Sequence, residues 1–92
     1  MTTYWRTLGQ GPRPCLALHC SLAHSGAWRG IADALGDALT LHAIDFPGHG
    51  KSSGDPSAED HVDQAIAAAA ERLTEPMDIL AHSVGAYVAL RL

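Results

Sequence analysis

The sequence predicts an α/β fold, with a mostly parallel sheet and helices on both of its faces. Apolar runs of strand length alternate along the chain with apolar stripes of helical spacing. The strand-length runs are nearly continuous in apolar residues, as suits strands covered on both sides. Right-handed crossovers join strands and helices that alternate in this way, which makes the strands parallel and lays the helices over the sheet. With 92 residues, 47% hydrophobic and 17% charged, the chain has material for one modest core and is too apolar to be disordered. No internal repeat or linker divides it, so residues 1–92 read as a single domain.

Each element follows from local chemistry. Tyr4–Leu8 is a short strand, closed by Gly9, Gly11, Pro12 and Pro14. Cys15–His19 is a buried strand. Trp28, Ile31, Ala32 and Leu35 repeat at helical spacing, with Ser25 available as N-cap and Gly36 near the end. Leu39–Phe46 is a second buried strand, and residues 47–54 form a loop rich in glycine and serine. Ser57 is placed to cap the next helix, whose positive end Glu59 and Asp60 favour. Val62, Ile66, Ala69 and Leu73 then make one apolar stripe, until Pro76 ends the connection. Met77–His82 is a third buried strand, and a helix begins at Val84.

Composition excludes several function classes. The formal charge is −4 and the basic residues are scattered, so nucleic acid is not an expected partner. No apolar run approaches the roughly 20 residues that span a bilayer, and residues 1–14 do not read as a secretory signal. Cys15 and Cys20 lie five positions apart along an extended run, on the order of 16 Å and beyond disulfide reach. Two free thiols suit a cytoplasmic protein. The six histidines include no helical His-x-x-x-His pair and there is no Cys-x-x-Cys, so no metal site is expected.

Three segments fall at the C-terminal ends of the strands, the edge where open α/β sheets bind ligands. They are His19-Cys20-Ser21-Leu22, Asp45 to Ser52, and Ala81-His82-Ser83-Val84-Gly85. In the last, small residues stand two before and two after a serine at a strand-to-helix junction. That layout suits a nucleophile raised on a sharp turn. Gly48-His49-Gly50-Lys51-Ser52 is too tightly spaced in glycine for a phosphate loop. His24, in the loop before the first helix, is a candidate for the pocket mouth.

The order and spacing of these segments resemble the N-terminal half of an α/β-hydrolase, over nearly all the chain from Cys15 onward. The resemblance implies that Ser83 is the nucleophile and that the Val84 N–H is one oxyanion donor, with Ala81 replacing the more usual glycine. It makes Ser21 the second donor. Cys20 departs from the pattern by occupying a glycine position: either the backbone there needs no positive φ, or the loop runs differently. No base is identifiable beside Cys20, so it is not the nucleophile. The family pattern gives His19 a structural duty, and Asp45 to Ser52 resembles the family's Asp-x-x-Gly-x-Gly-x-Ser turn. Asp45 precedes the serine, whereas the family's order is serine, acid, histidine, so it is structural and not the triad acid.

By that order the acid and base belong downstream of Ser83, and His82, its immediate neighbour, is not the base. The 92 residues are therefore expected to be part of a domain whose C-terminal half supplies both, marginally stable and inactive alone. The expected chemistry is hydrolysis of a small-molecule ester or related acyl bond through an acyl-enzyme at Ser83, with no cofactor and no membrane or nucleic-acid partner. The alternatives are a non-catalytic relic or binding module that keeps the fold, and an acyltransferase or cofactor-free peroxidase of the same family.

Overall fold

The structure, a computed structural model, describes residues 2–92. Strands β1 (Tyr4–Leu8), β2 (Arg13–Leu18), β3 (Leu39–Asp45) and β4 (Asp78–Ala81) form one sheet in the order β1-β3-β2-β4. A 3-10 turn (Ser25–Trp28) and helix α1 (Arg29–Leu35) link β2 to β3, helix α2 (His61–Ala70) links β3 to β4, and helix α3 (Val84–Arg91) follows β4. β2 is parallel to both β3 and β4, whereas β1 runs antiparallel to β3. The link from β1 to β2 passes over the start of β3. Gly9 and Gly11 allow this, because a Cβ on Gly9 would stand 2.6 Å from the Leu39 carbonyl and one on Gly11 would meet the Ala38–Leu39 backbone.

β2 is the axis of the molecule. Cys15, Leu16, Ala17 and Leu18 are fully buried, and their alternation sends side chains into two separate cores. Leu16 and Leu18 join Ile44 and Phe46 beneath α2 and α3, against Ala65, Ala68, Ala69 and Val88. Cys15 and Ala17 join Leu41 and Ala43 beneath Trp28 and Ala32. Helices therefore cover both faces, as the unbroken apolar runs predict. Burial pushes the Cys15 thiol up, which keeps it protonated, and both cysteines are free. Among the described residues no helix is long and apolar enough to cross a membrane.

The structure differs from the sequence reading at five places. Helix α1 starts only after Trp28, and Ile31 and Leu35 of its apolar stripe are exposed. Ser25 does not cap a helix: its N–H donates to Asp45 and its hydroxyl accepts from Arg6, while His24 Nδ1 takes the Gly26 N–H. Ser57 bonds to Asp55, and α2 starts only after Asp60. The buried stripe of α2 is Ala65, Ala68 and Ala69, because methyl-sized side chains let the helix close on the sheet. Val62 and Ile66 flank that contact half-buried, and Leu73 lies beyond the helix. β4 is shorter than Met77–His82 and is not fully buried. Within these 92 residues it lies at the end of the strand order, with Ile79 36% exposed.

Two buried polar side chains knit the C-terminal edge of the sheet. Asp45, 1% exposed, accepts the Ser25 N–H at 2.6 Å and the Lys51 N–H at 2.9 Å. Burial would raise its carboxyl, but the Lys51 and Ser25 donors outweigh it and hold the carboxyl below the ordinary 3.8. Its carbonyl takes the Ser52 hydroxyl, which in turn accepts the Tyr4 N–H at 2.8 Å. Gly50 is required here, since a Cβ at its φ of 52° would lie 2.6 Å from Asp45 Cγ. His19, also 1% exposed, accepts the Phe46 N–H on Nε2 at 3.0 Å, so its proton sits on Nδ1 and is donated to the Cys20 carbonyl at 2.6 Å. Burial pushes this imidazole below 6.5 despite the Cys20 carbonyl.

That shift has a definite sign. The unfolded chain takes up a proton near pH 6.5 that folded His19 refuses, so stability is full above that pH and falls as the pH drops towards the folded value. Urea midpoints taken from pH 7.5 downward are expected to fall below pH 6.5, by at most about 1.4 kcal/mol per pH unit for this one group. His19→Gln is expected to flatten that decline. An unchanged slope in the variant would show that other groups carry it.

Candidate active site

β4 delivers the chain to Ala81, α3 departs at Val84, and only His82 and Ser83 make the turn. Ser83 adopts φ 56° and ψ −117°, a left-handed conformation that costs a non-glycine residue about 1–2 kcal/mol. The turn is held from both sides. The His82 N–H donates to the Leu18 carbonyl at 3.1 Å, and the Gly85 N–H donates back to His82 at 3.0 Å. Gly85 presses on the end of β2, where a Cβ would run into the Leu18 carbonyl and stand 2.8 Å from that of His19. The small residue after the serine is thus a steric requirement of helix meeting strand. Ala81, before it, is half-buried, and its methyl packs against the core under α2 and α3. Ser83 is exposed and makes no capping bond to α3, so its hydroxyl is not engaged as a helix cap.

The loop after β2 lies beside this turn, because Leu18 and His19 meet both. Cys20 is not among the residues with positive φ, so the first of the two alternatives holds: its backbone needs no glycine. The left-handed residue is instead Leu22, at φ 61° and 93% exposed. Leucine there costs about 1–2 kcal/mol of backbone strain. Sequence reasoning gave Leu22 no role. A leucine following a polar loop residue was its only signal.

Val84 is the first residue of α3, so its N–H has no partner within the helix. Neither that N–H nor the Ser21 N–H has a backbone acceptor among the described residues. Both residues border a cavity of about 170 Å³ whose walls include Phe46, Val62 and Val88. Cys20 and His82 border a different, apolar cavity of about 430 Å³, with Trp28, Ile31 and Leu80. His82 thus borders one hollow and Val84 the other, and Ser83 lines neither. His24 lines neither of them and caps the 3-10 turn. Asp45 is fully committed to loop N–H groups, in keeping with a structural duty. Among the described residues no three His, Cys, Asp or Glu side chains gather as metal ligands.

A strained serine between a strand and a helix, beside a loop with free N–H groups at the C-terminal edge of a mixed sheet, defines the α/β-hydrolase architecture. The profile of the alpha/beta hydrolase family matches residues 15–92, and the chain belongs to that family. It is 38% identical over 86 residues to a pimeloyl-[acyl-carrier protein] methyl ester esterase of Nitrosomonas europaea, covering 94% of this chain and 33% of that protein. Against the esterase of the same name from Proteus mirabilis, identity is 40% over 53 residues, 58% of this chain and 20% of that one. The monoacylglycerol lipase of Paleococcus ferrophilus superposes with a TM-score of 0.82 at 28% identity, over 99% of this chain and 37% of the lipase. The chain spans about a third of the length of the first of these relatives.

The contact at Gly85 makes a direct prediction. Gly85→Ala is expected to lower the stability of the protein by about 2–3 kcal/mol, since the methyl has only main chain to displace. Ala81→Gly, which relieves no clash, is expected to change it by less than about 1 kcal/mol. Urea titrations of the two variants beside the parent decide the matter, and equal midpoints would remove the steric argument.

Proposed function

We propose that the protein is a serine esterase in which Ser83 is the nucleophile and the N–H groups of Val84 and Ser21 form the oxyanion hole. The observation that carries this reading is the backbone of Ser83, left-handed and strained at a residue whose hydroxyl caps nothing. Strain of this kind persists where surrounding contacts over-determine it, and it gathers at active sites. The names of the curated relatives supply the ester class, and they favour an ester of a small alcohol.

Ser83 Oγ attacks the ester carbonyl carbon while its proton passes to a base. The carbonyl oxygen, now carrying the charge, is met by the unengaged N–H groups of Val84 and Ser21, and by the positive end of α3. Collapse expels the alcohol and leaves an acyl group on Ser83. Water then attacks the acyl carbonyl, and the acid is released. We assign the base and its orienting acid to a part of the protein outside these 92 residues. That assignment is supported by the chain's one-third coverage of its Nitrosomonas relative and by the family order of serine, acid and histidine. Two free thiols support a reducing, cytoplasmic setting.

A fluorophosphonate probe applied to the protein in its complete reading frame is expected to label Ser83, located by peptide mass. Ser83→Ala is expected to abolish labelling and to reduce hydrolysis of 4-nitrophenyl acetate by at least about 10⁴-fold, the scale at which triad members contribute. The 92 residues alone are expected to be inactive on the same ester. A folded protein that hydrolyses the ester equally well with alanine at position 83 would overturn the reading.

A further inference from the structure

We propose that His19 is a positioning residue of the oxyanion hole: by holding the Cys20 carbonyl, it sets the direction in which the Ser21 N–H points. The proposal rests on Ser83 as nucleophile and Ser21 as donor, and it gives the imidazole a part in turnover beyond its tie to Phe46. The Cys20 carbonyl and the Ser21 N–H belong to one peptide group. Such a group is planar and trans, so its C=O and N–H point in opposite directions and turn together. Whatever fixes the carbonyl therefore aims the donor. His19 Nδ1 meets that carbonyl at 2.6 Å, closer than the 3.3 Å of its other partner, the Ala23 N–H.

The proton on Nδ1 is itself fixed from the end of β3. Phe46 is 3% exposed and its main-chain N–H can only donate, so His19 Nε2, 3.0 Å away, must be bare. The ring lies against those of Phe46 and His49, with centroids 4.6 and 5.2 Å from its own. Every one of these contacts runs between the segments that follow β2 and β3, inside the described fold. The Cys20 carbonyl already has the Ala23 N–H and needs no second donor to be satisfied. What the ring adds there is direction. It also adds strength, because a carbonyl that accepts a hydrogen bond polarises its peptide and makes the N–H a better donor.

Asparagine and glutamine separate the two bonds. In His19→Asn an amide N–H takes the place of Nδ1–H and can hold Cys20, but nothing reaches Phe46. In His19→Gln the amide oxygen reaches Phe46, and nothing holds Cys20. In the complete protein, with 4-nitrophenyl acetate, His19→Gln is expected to lower kcat and kcat/KM alike by about 10- to 100-fold, less than the roughly 10²–10³-fold cost of a missing donor. Inhibition by a trifluoromethyl ketone, whose oxyanion adduct on Ser83 needs the same donors, is expected to weaken by a similar factor. His19→Asn is expected to recover most of the lost rate and yet to have the lower urea midpoint, because it leaves the buried Phe46 N–H without an acceptor. Activity and stability thus rank the two variants in opposite orders. If they rank alike, or if the loss falls on KM alone, His19 serves only the fold and the proposal fails. It fails too if His19→Gln turns over like the parent or does not fold. Each of those results leaves labelling of Ser83 in the parent intact, whereas hydrolysis that survives Ser83→Ala would remove the nucleophile itself.

Discussion

The architecture of the candidate site depends on how the buried Asp45 carboxylate is satisfied. A carboxylate taken out of water must find donors, and here they are main-chain N–H groups of two different loops, Ser25 after β2 and Lys51 after β3. The residue's own carbonyl holds Ser52, which reaches Tyr4 on β1. One residue at the end of one strand thus fixes the course of three segments. His19 adds a second tie, joining the start of the donor loop to Phe46 through a ring that must stay neutral to accept that N–H. The two ties are complementary in charge: the carboxylate needs its proton off, and the imidazole needs one nitrogen bare. Both conditions are met at neutral pH.

Much of this was legible in the sequence, for a physical reason. Apolar runs of Cys15–His19 and Leu39–Phe46 are required wherever a strand is covered on both sides, and the structure buries the first throughout and Leu41 and residues 43–46 of the second. The small residue at position 85 follows from helix packing on strand, and the serine turn from the spacing around it. What escaped was decided by competition among partners. Ser25 looked like a cap, but Asp45 and Arg6 claim it. Of the Val62, Ile66, Ala69 and Leu73 stripe only Ala69 is fully buried, because close contact with the sheet favours the methyl groups of Ala65, Ala68 and Ala69.

The loop after β2 shows the same limit in a sharper form. Cys20 occupied a glycine position, which left open whether that residue or its surroundings had changed. The left-handed conformation resides two positions further on, at Leu22. A left-handed residue can stand in a loop with nothing in the sequence to mark it. A leucine carries no signature of left-handed backbone, whereas glycine or asparagine would have announced one.

The contacts that shape the serine turn all lie within these residues. Leu18 receives the His82 N–H, Gly85 closes against Leu18 and His19, and the Ser83 carbonyl caps the start of α3 through Ala86. The geometry of the Ser83 turn is therefore set where β2, β4 and α3 meet. Activation of the hydroxyl is a separate matter, since a serine remains a weak nucleophile until a base takes its proton. Under the proposed mechanism the two functions divide cleanly. The strained turn fixes where attack occurs and where charge is stabilised, and the base sets whether attack occurs at all. Transition-state stabilisation of that kind gains most from donors fixed in advance, because no reorganisation is then needed as charge develops. On that reading, a base brought to Ser83 from elsewhere in the protein meets a hydroxyl already raised on a fixed turn.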